Sequence, residues 1–354
     1  MSIEKLKTML KSRSAAALIM SEENVRYFTS FSSTNGYLLV TGENAFFLTD
    51  SRYIEAARNT IKTVDGVLLF ESFEKSLVPL VGELGIKVIS VEGARTTIKK
   101  LGELQEYFPD AAFEIQKLDG EIDLLRSIKS EEECQSIIKA QRIAEKALEM
   151  LLPKIKVGAA ERELSLELDY TMLKLGAQAL SFETIAVAGK NGSMPHGVPG
   201  SKRIESGDFI TFDFGAVYNN YHSDMTRTFG VGEVSDKQRD VYETVLRAQK
   251  TAIDAVSAGK KCCDIDKIAR DIIKEKGYGE YFGHGLGHGV GVEIHEFPSV
   301  SPRSNTVLEK GHIITVEPGI YIPGEFGVRI EDMVYVTEDG CRNLTECPKE
   351  LCVL

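Results

Sequence analysis

The sequence predicts an α/β protein of two unequal domains, the second built of helices covering a mainly antiparallel sheet. Three observations lead there. Short β-like runs alternate with helix-like stretches up to Lys117, the pattern changes between Leu118 and Ser130, and 354 residues exceed the usual size of one domain. The expected division is 1–122 and 123–354.

In the first domain, Ala16 to Met20 reads as a strand, a helix follows Ser21, and Gly36 to Thr41 with Ala45 to Thr49 reads as a hairpin. A helix from about Ser51, strands at Gly66 to Glu71 and Lys87 to Val91, a helix near Thr97 to Tyr107 and a strand near Phe113 to Lys117 complete it. The second domain opens with a capping box, Ser130 with Glu133, ahead of a helix running toward Leu152. Further helices are expected over Glu161 to Leu175, stopped by Gly176, from Ser235 with Gln238 as caps to near Gly259, and from Asp264 to Lys276. Between and after them lie strands at Phe182 to Ala188, Asp208 to Tyr218, Tyr221 to Phe229, Ile313 to Tyr321 and Val328 to Val336.

Composition narrows the function. With 43% hydrophobic and 27% charged residues and no low-complexity tract, the chain is expected to fold throughout. Its 42 Lys and Arg against 53 Asp and Glu give a net charge of −11, which repels a phosphate backbone and argues against nucleic acid as a partner. The apolar run Ala15 to Met20 is too short to span a bilayer and no small-residue cleavage site follows, so no membrane association and a cytoplasmic location are expected. Six cysteines without CxxC or zinc-finger spacing read as reduced packing residues.

The chemistry is concentrated in three segments. Asp213 sits between two phenylalanines in a strand, where an ionised carboxylate is costly without a cation or donors. Asp224 follows beyond the turn residues Tyr218-Asn219-Asn220, and folding about Tyr218 and Asn219 would set the two aspartates opposite one another. Two like charges so placed repel unless metal ions lie between them, whereas a surface hairpin accounts for one solvated aspartate and poorly for both. Glu317 and Glu331 repeat the arrangement symmetrically about Gly324, flanked by Ile314, Val316, Ile320, Val328, Ile330 and Val334. Between the pairs, Gly283 to Gly291 followed by His295-Glu-Phe-Pro298 places three of six histidines within a short glycine-rich run, His284, His288 and His295. His196, in Met194-Pro-His-Gly197, is a fourth candidate, while His222 and His312 fit packed or exposed roles. Four carboxylates with one imidazole form a hard donor set, suited to a pair of manganese, cobalt or zinc ions that would make hydroxide from water near neutral pH.

The ordered set Asp213, Asp224, His288, Glu317 and Glu331, with the run HGxGHxxGxxxHExP from His284 to Pro298, resembles the Xaa-Pro peptidases, aminopeptidase P and prolidase. Similarity extends to Ser223-Asp-Met-Thr-Arg-Thr228, Glu317-Pro-Gly319 and Arg329-Ile-Glu-Asp332, and the region before residue 120 looks like the family's N-terminal domain. The resemblance implies a pita-bread catalytic domain, two related halves around a metal pair, preceded by a creatinase-like α/β domain, usually as a homodimer. It implies two divalent ions per subunit, manganese first and cobalt, zinc or iron otherwise, acting on short proline-containing peptides. Asp213 would chelate one ion, Asp224 and Glu331 would bridge, and His288 with Glu317 would complete the other, Glu317 also handling the proton of water. By the same resemblance His295 and His196 face the scissile carbonyl and oxyanion, His284 and Tyr321 line the proline side or support the centre, and Arg329 supports Glu331.

Rival readings are weaker on the residues. Creatinase-like relatives and metal-free binding modules on this fold lack the ligands, and all five are present. Methionine aminopeptidases share the ligand order but generally lack the extra α/β domain. Between dipeptidase and aminopeptidase, Ser299 stands where some prolidases have an arginine for the substrate carboxylate, with Arg303 and Arg329 as possible substitutes.

Overall fold

The structure, a computed structural model, describes residues 2–354, and contacts divide the chain into two units, one ending at Arg126 and the other Ser127–Leu354. The expected cut at 122/123 falls inside a helix, Leu118–Ser127.

The first unit is a six-stranded sheet of β1 (Ala16–Ile19), β2 (Gly36–Val40), β3 (Ala45–Thr49), β4 (Gly66–Leu69), β5 (Val88–Val91) and β6 (Ala112–Glu114), in the order β4-β3-β2-β1-β5-β6. The central β1, β2 and β3 are antiparallel, and β4, β5 and β6 join in parallel. Alternation along β1 decides the two faces: Ala17 and Ile19 enter one core with Leu38 and Phe47, and Ala16 and Leu18 enter another with Leu39 and Ile89. Two helices that cover the first face, Ser2–Arg13 and Leu118–Ser127, were not among the expected elements. Their signal was present: Ile3, Leu6 and Leu10, and Leu118, Ile122 and Leu125, are buried at helical spacing.

In the second unit the capping boxes at Ser130/Glu133 and Ser235/Gln238 open helices Glu131–Leu151 and Asp236–Asp254. Helices Glu131–Leu151 and Glu161–Lys174 pack on a core with Phe212, Phe214 and Met225, and helices Asp236–Asp254 and Cys262–Glu275 on a second with Phe209, Ile314, Val328 and Val334. The strands are β7 (Ala179–Leu180), β8 (Ile185–Ala188), β9 (Phe209–Phe214), β10 (Ala216–Tyr218), β11 (Tyr221–His222), β12 (Met225–Gly230), β13 (Gly287–Gly289), β14 (Glu296–Val300), β15 (Ile313–Val316), β16 (Gly319–Ile322), β17 (Phe326–Arg329), β18 (Asp332–Val336) and β19 (Cys341–Asn343). Their ladders are antiparallel but form four small sheets instead of one.

Two expectations about register need correction. The turn is Asn219-Asn220, both at positive φ (49° and 65°), and Tyr218 faces Tyr221 across it. Asp213 therefore pairs with Thr226, not with Asp224. The slip is two residues, which preserves the face, so Asp213 and Asp224 still turn to the same side. The expected continuous strands are also interrupted. β9 and β10 part at Gly215, where a Cβ would lie 1.9 Å from the Ser223 carbonyl oxygen, and β11 and β12 part at Ser223-Asp224. In the other hairpin, Gly319 faces Arg329 and Val316 faces Asp332, so one register centred on Gly324 (φ 74°) carries both ladders. Glu317 and Glu331 lie in the breaks between them, next to Pro318, which has no N–H to donate.

All six cysteines are free thiols. Among the described residues no helix is long and apolar enough to cross a membrane. His312 is a packed histidine, 2% exposed, its Nδ1 accepting the Glu309 N–H at 3.0 Å. Burial, with Lys129 nearby, lowers its pKa to about 4. The folded ring therefore stays neutral at pH values where an unfolded one is protonated, so stability should fall as pH drops from about 6.5 toward 4, by on the order of 2–3 kcal/mol. His312→Gln should flatten that acid limb, read from urea midpoints at pH 7 and 4.5, and an unchanged slope would discard the assignment.

Candidate metal centre

Two hairpins, the glycine-rich loop and the loop carrying His196 meet at one cavity of about 530 Å³, lined by all the predicted site residues: Asp213, Asp224, His288, Glu317 and Glu331, together with His196, His284, His295, Tyr321 and Arg329. Two backbone bonds bring the segments together. Glu331 N–H donates to the Thr226 carbonyl (3.2 Å), joining the two hairpins, and Glu317 N–H donates to the Leu286 carbonyl (2.8 Å), joining the second hairpin to the glycine-rich loop. The glycines of that loop are needed at close approaches. A Cβ at Gly287 would lie 2.1 Å from the Thr315 carbonyl oxygen, and one at Gly289 2.4 Å from that of Phe297.

Ligand atoms of Asp224, His288 and Glu331 all lie within 4.8 Å of one another. His288 Nε2 is 3.5 Å from Asp224 Oδ2 and 3.3 Å from Glu317 Oε1, and its Nδ1 is directed to the Gly289 carbonyl at 3.0 Å. That second contact fixes the tautomer that leaves Nε2 toward the carboxylates. Asp213 Oδ2 accepts from Arg329 Nη2, while Asp213 Oδ1 and Glu331 Oε1 are buried without a hydrogen-bond partner.

Electrostatics sharpen this picture. Burial, then Glu331 and the other carboxylates, push Asp224 well above the usual carboxylate range, and burial with Glu317 and Asp213 does the same to Glu331. Asp213 is raised by burial in spite of Arg329. Burial also acts on Glu317 and His288, but their mutual bond wins, lowering the glutamate and raising the imidazole. Buried Asp224 and Glu331, partly buried Asp213 and Glu317, two orphaned carboxyl oxygens and an imidazole fit a cationic group, because among the described lining residues Arg329 alone carries a fixed positive charge against four carboxylates.

Threonines complete the site, and sequence reading missed them. Thr226 Oγ1 donates to Glu331 Oε2 (2.7 Å) and accepts from Arg329 Nε (3.1 Å). Thr315 Oγ1 donates to Glu317 Oε1 (3.2 Å) and accepts from His288 N (3.1 Å). Each lies two residues from a ligand, the spacing that shares a strand face, which is the signal that would have found them. Arg270, paired with Asp266 on helix Cys262–Glu275, also donates to the His284 carbonyl (2.7 Å) and holds the loop from behind. That i,i+4 pair has no distinguishing sequence signal.

The histidines fall in two groups. His284 Nε2 meets the Tyr321 hydroxyl at 2.9 Å, which in turn accepts from Arg329 Nη1 at 2.9 Å, and burial pushes the phenol up to about 12. His295 and His196 are exposed to the cavity, His295 with its ring centroid 4.3 Å from that of His288. Glu296, the acidic residue of the HExP run, turns away to a buried ion pair with Lys129 at 2.6 Å. Neither alternative cation for a substrate carboxylate is free: Arg303 does not line the cavity, and Arg329 is engaged by Asp213, Tyr321, Thr226 and the Pro195 carbonyl.

Such a fold and site define a metal-dependent hydrolase. Residues 135–338 match metallopeptidase family M24, and residues 3–128 match the creatinase/prolidase N-terminal domain. The chain is similar to the Xaa-Pro dipeptidase of Pyrococcus horikoshii, 41% identical over 95% of this chain and 94% of that one. It is also similar to the solved Xaa-Pro dipeptidase from Bacillus anthracis (TM-score 0.96, 42% identity, 100% of this chain and 99% of that one). A third likeness is to the X-Pro aminopeptidase from Thermotoga maritima (TM-score 0.91, 37% identity, 97% and 100%). The chain belongs to metallopeptidase family M24, carries that family's N-terminal domain, and takes divalent metal as its cofactor.

Proposed function

We propose that the protein is a two-metal peptidase that hydrolyses the bond before proline in short peptides. The observation carrying this is the convergence of Asp213, Asp224, His288, Glu317 and Glu331 on one cavity, with buried carboxyl oxygens left unbonded. Similarity to Xaa-Pro dipeptidases and an X-Pro aminopeptidase supports the substrate. Asp213 would chelate one ion, Asp224 and Glu331 both, and His288 with Glu317 the other; manganese leads the candidates, ahead of cobalt, zinc and iron. When bound, the ions polarise the scissile carbonyl and acidify water.

The chain's own residues do the rest. Glu317, held below the usual carboxylate range, accepts a proton from the attacking water. His295 and His196, open to the cavity, donate to the carbonyl oxygen as charge develops on it. His284 and Tyr321 form a fixed wall against the proline ring, which suits a substrate whose shape is set by its pyrrolidine. Thr226 and Arg329 orient Glu331 and Asp213. Since Arg329 is the one guanidinium or ammonium among the described lining residues and is fully engaged, peptides longer than two residues are substrates as well as dipeptides. A homodimer in the cytoplasm is part of the same reading.

The test loads purified protein with manganese or cobalt and offers Ala-Pro, Ala-Pro-Ala and Met-Ala-Ala. Cleavage before proline in the first two is expected, and cleavage of Met-Ala-Ala alone would overturn the reading. His295→Ala should lower kcat about 10²-fold while leaving metal content unchanged, because it removes one transition-state donor and no ligand. Loss of metal in that variant would make His295 a ligand instead.

A further inference from the structure

We propose that the buried carboxylate of Glu161, outside the cavity, is a positioning residue for His196. It holds both ends of the loop that presents this histidine. The inference rests on the peptidase reading and extends it to a residue that reading does not use.

His196 lies at the tip of a segment that leaves β8 at Ala188, makes a short turn at Gly189–Ser193, and returns at Gly200. Little apolar packing holds that tip: Met194 is 51% exposed and Val198 75%. Its geometry must come from polar tethers. Glu161, the first residue of helix Glu161–Lys174 and fully buried, supplies them at the roots. Its Oε1 accepts from Ala188 N–H (2.7 Å) and Asn191 Nδ2 (3.0 Å), and its Oε2 from Gly200 N–H (3.0 Å) and Asn191 Nδ2 (3.2 Å).

These partners distinguish Glu161 from an ordinary acidic residue in a first helical turn. A carboxylate serving only its own helix bonds first-turn amides, but the donors to the Glu161 carboxylate lie 27 to 39 residues away. The helix's own first amides are given to the loop as well, Glu161 N–H to the Lys202 carbonyl and Arg162 N–H to the Gly200 carbonyl, both at 3.0 Å. The positive end of the helix favours the charge that makes these bonds strong.

The loop's other side is tied to the metal centre. The Pro195 carbonyl, next to His196, accepts from Arg329 Nη1 at 3.3 Å, and Gly192 lies against the backbone of Gly327, one strand turn from Arg329. With its roots on Glu161 and its tip on Arg329, the imidazole is fixed relative to Asp213 without any bond of its own to a ligand. A donor aimed at a developing oxyanion needs such placement, since misplacement by about 1 Å costs on the order of 10²-fold in rate.

The experiment is a double-mutant cycle between Glu161→Gln and His196→Ala in the metal-loaded full chain. The glutamine keeps the size of the glutamate but turns one acceptor into a donor that faces other donors. Expected are a tenfold or greater fall in kcat for E161Q, KM and metal content as in the parent, and a double variant no slower than H196A alone. Rate losses that multiply in the double variant, a wild-type rate for E161Q, or loss of metal from E161Q would each overturn the proposal. If E161Q does not fold, Asn191→Ala replaces it in the cycle and is judged by the same outcomes, because it removes one tether and leaves both backbone donors on the carboxylate. A wild-type rate for H196A would remove the donor role assigned to His196 under the peptidase reading and the proposal with it. A slow H196A with independent E161Q loses only the proposal.

Discussion

Asp224→Asn and Glu331→Gln are each expected to lower turnover by about 10³-fold or more and to strip metal from the protein. Several kcal/mol of transition-state stabilisation depend on the bound ions. Both carboxyls stand well above their usual range in the metal-free protein, pushed there by burial and by the neighbouring carboxylates. The fold bears that cost for a cation and gains nothing from the carboxylates otherwise. Each amide keeps the side-chain shape and removes the charge, so the metal-free variants should unfold at the parent's temperature or higher while the metal-dependent rise is lost. Elemental analysis alongside thermal unfolding, with and without manganese, reads both effects. Full activity in either variant would contradict the ligand assignment, and a destabilised metal-free variant would contradict the electrostatic account.

Arg329→Met is the second large effect. The guanidinium is fully engaged by Asp213, Tyr321, Thr226 and the Pro195 carbonyl, and is 4% exposed. Removing one partner of a buried charge pair costs about 3–5 kcal/mol, and loss of a group that orients a ligand lowers metal affinity about 10–100-fold. Lysine restores the charge but not the planar set of donors, so Arg329→Lys should recover stability better than metal affinity. Chemical unfolding and metal titration on both variants test this. Equal recovery of the two quantities would mean that charge alone, not geometry, is what Arg329 supplies.

That the five candidate ligands gather on one cavity could be read from the chain because several stand where their residue type is costly or unusual: Asp213 between phenylalanines, Glu317 before Pro318, His288 among glycines. What could not be read was register. A turn at Asn219-Asn220 and one a residue earlier look alike in a row of good turn formers, and only the ladder from Met225 to Gly230 decides between them. The interruptions at Gly215, Asp224, Glu317 and Glu331 were also invisible, because the apolar alternation continues across them while the hydrogen bonds do not. Helices Ser2–Arg13 and Leu118–Ser127 are a different failure, since their apolar spacing is plain in the sequence, yet the first has no place among the expected elements and the second stands there only as a change of pattern. Thr226 and Glu161 act through bonds to residues distant in sequence, which no local composition announces, whereas Thr315 bonds Glu317 two residues away on the same strand face.

The candidate ligands all belong to the unit beginning at Ser127 and are drawn from Asp213 through Glu331, with none from the first unit. No short stretch of the unfolded chain can gather that set, so metal held by it is expected to bind the native form of that unit and not the unfolded one. Mass action would then raise its unfolding free energy by RT ln(1 + [L]/Kd). Metal supply is thereby expected to act as a dial on how long the larger unit of the polypeptide survives proteolysis, separate from its part in hydrolysis.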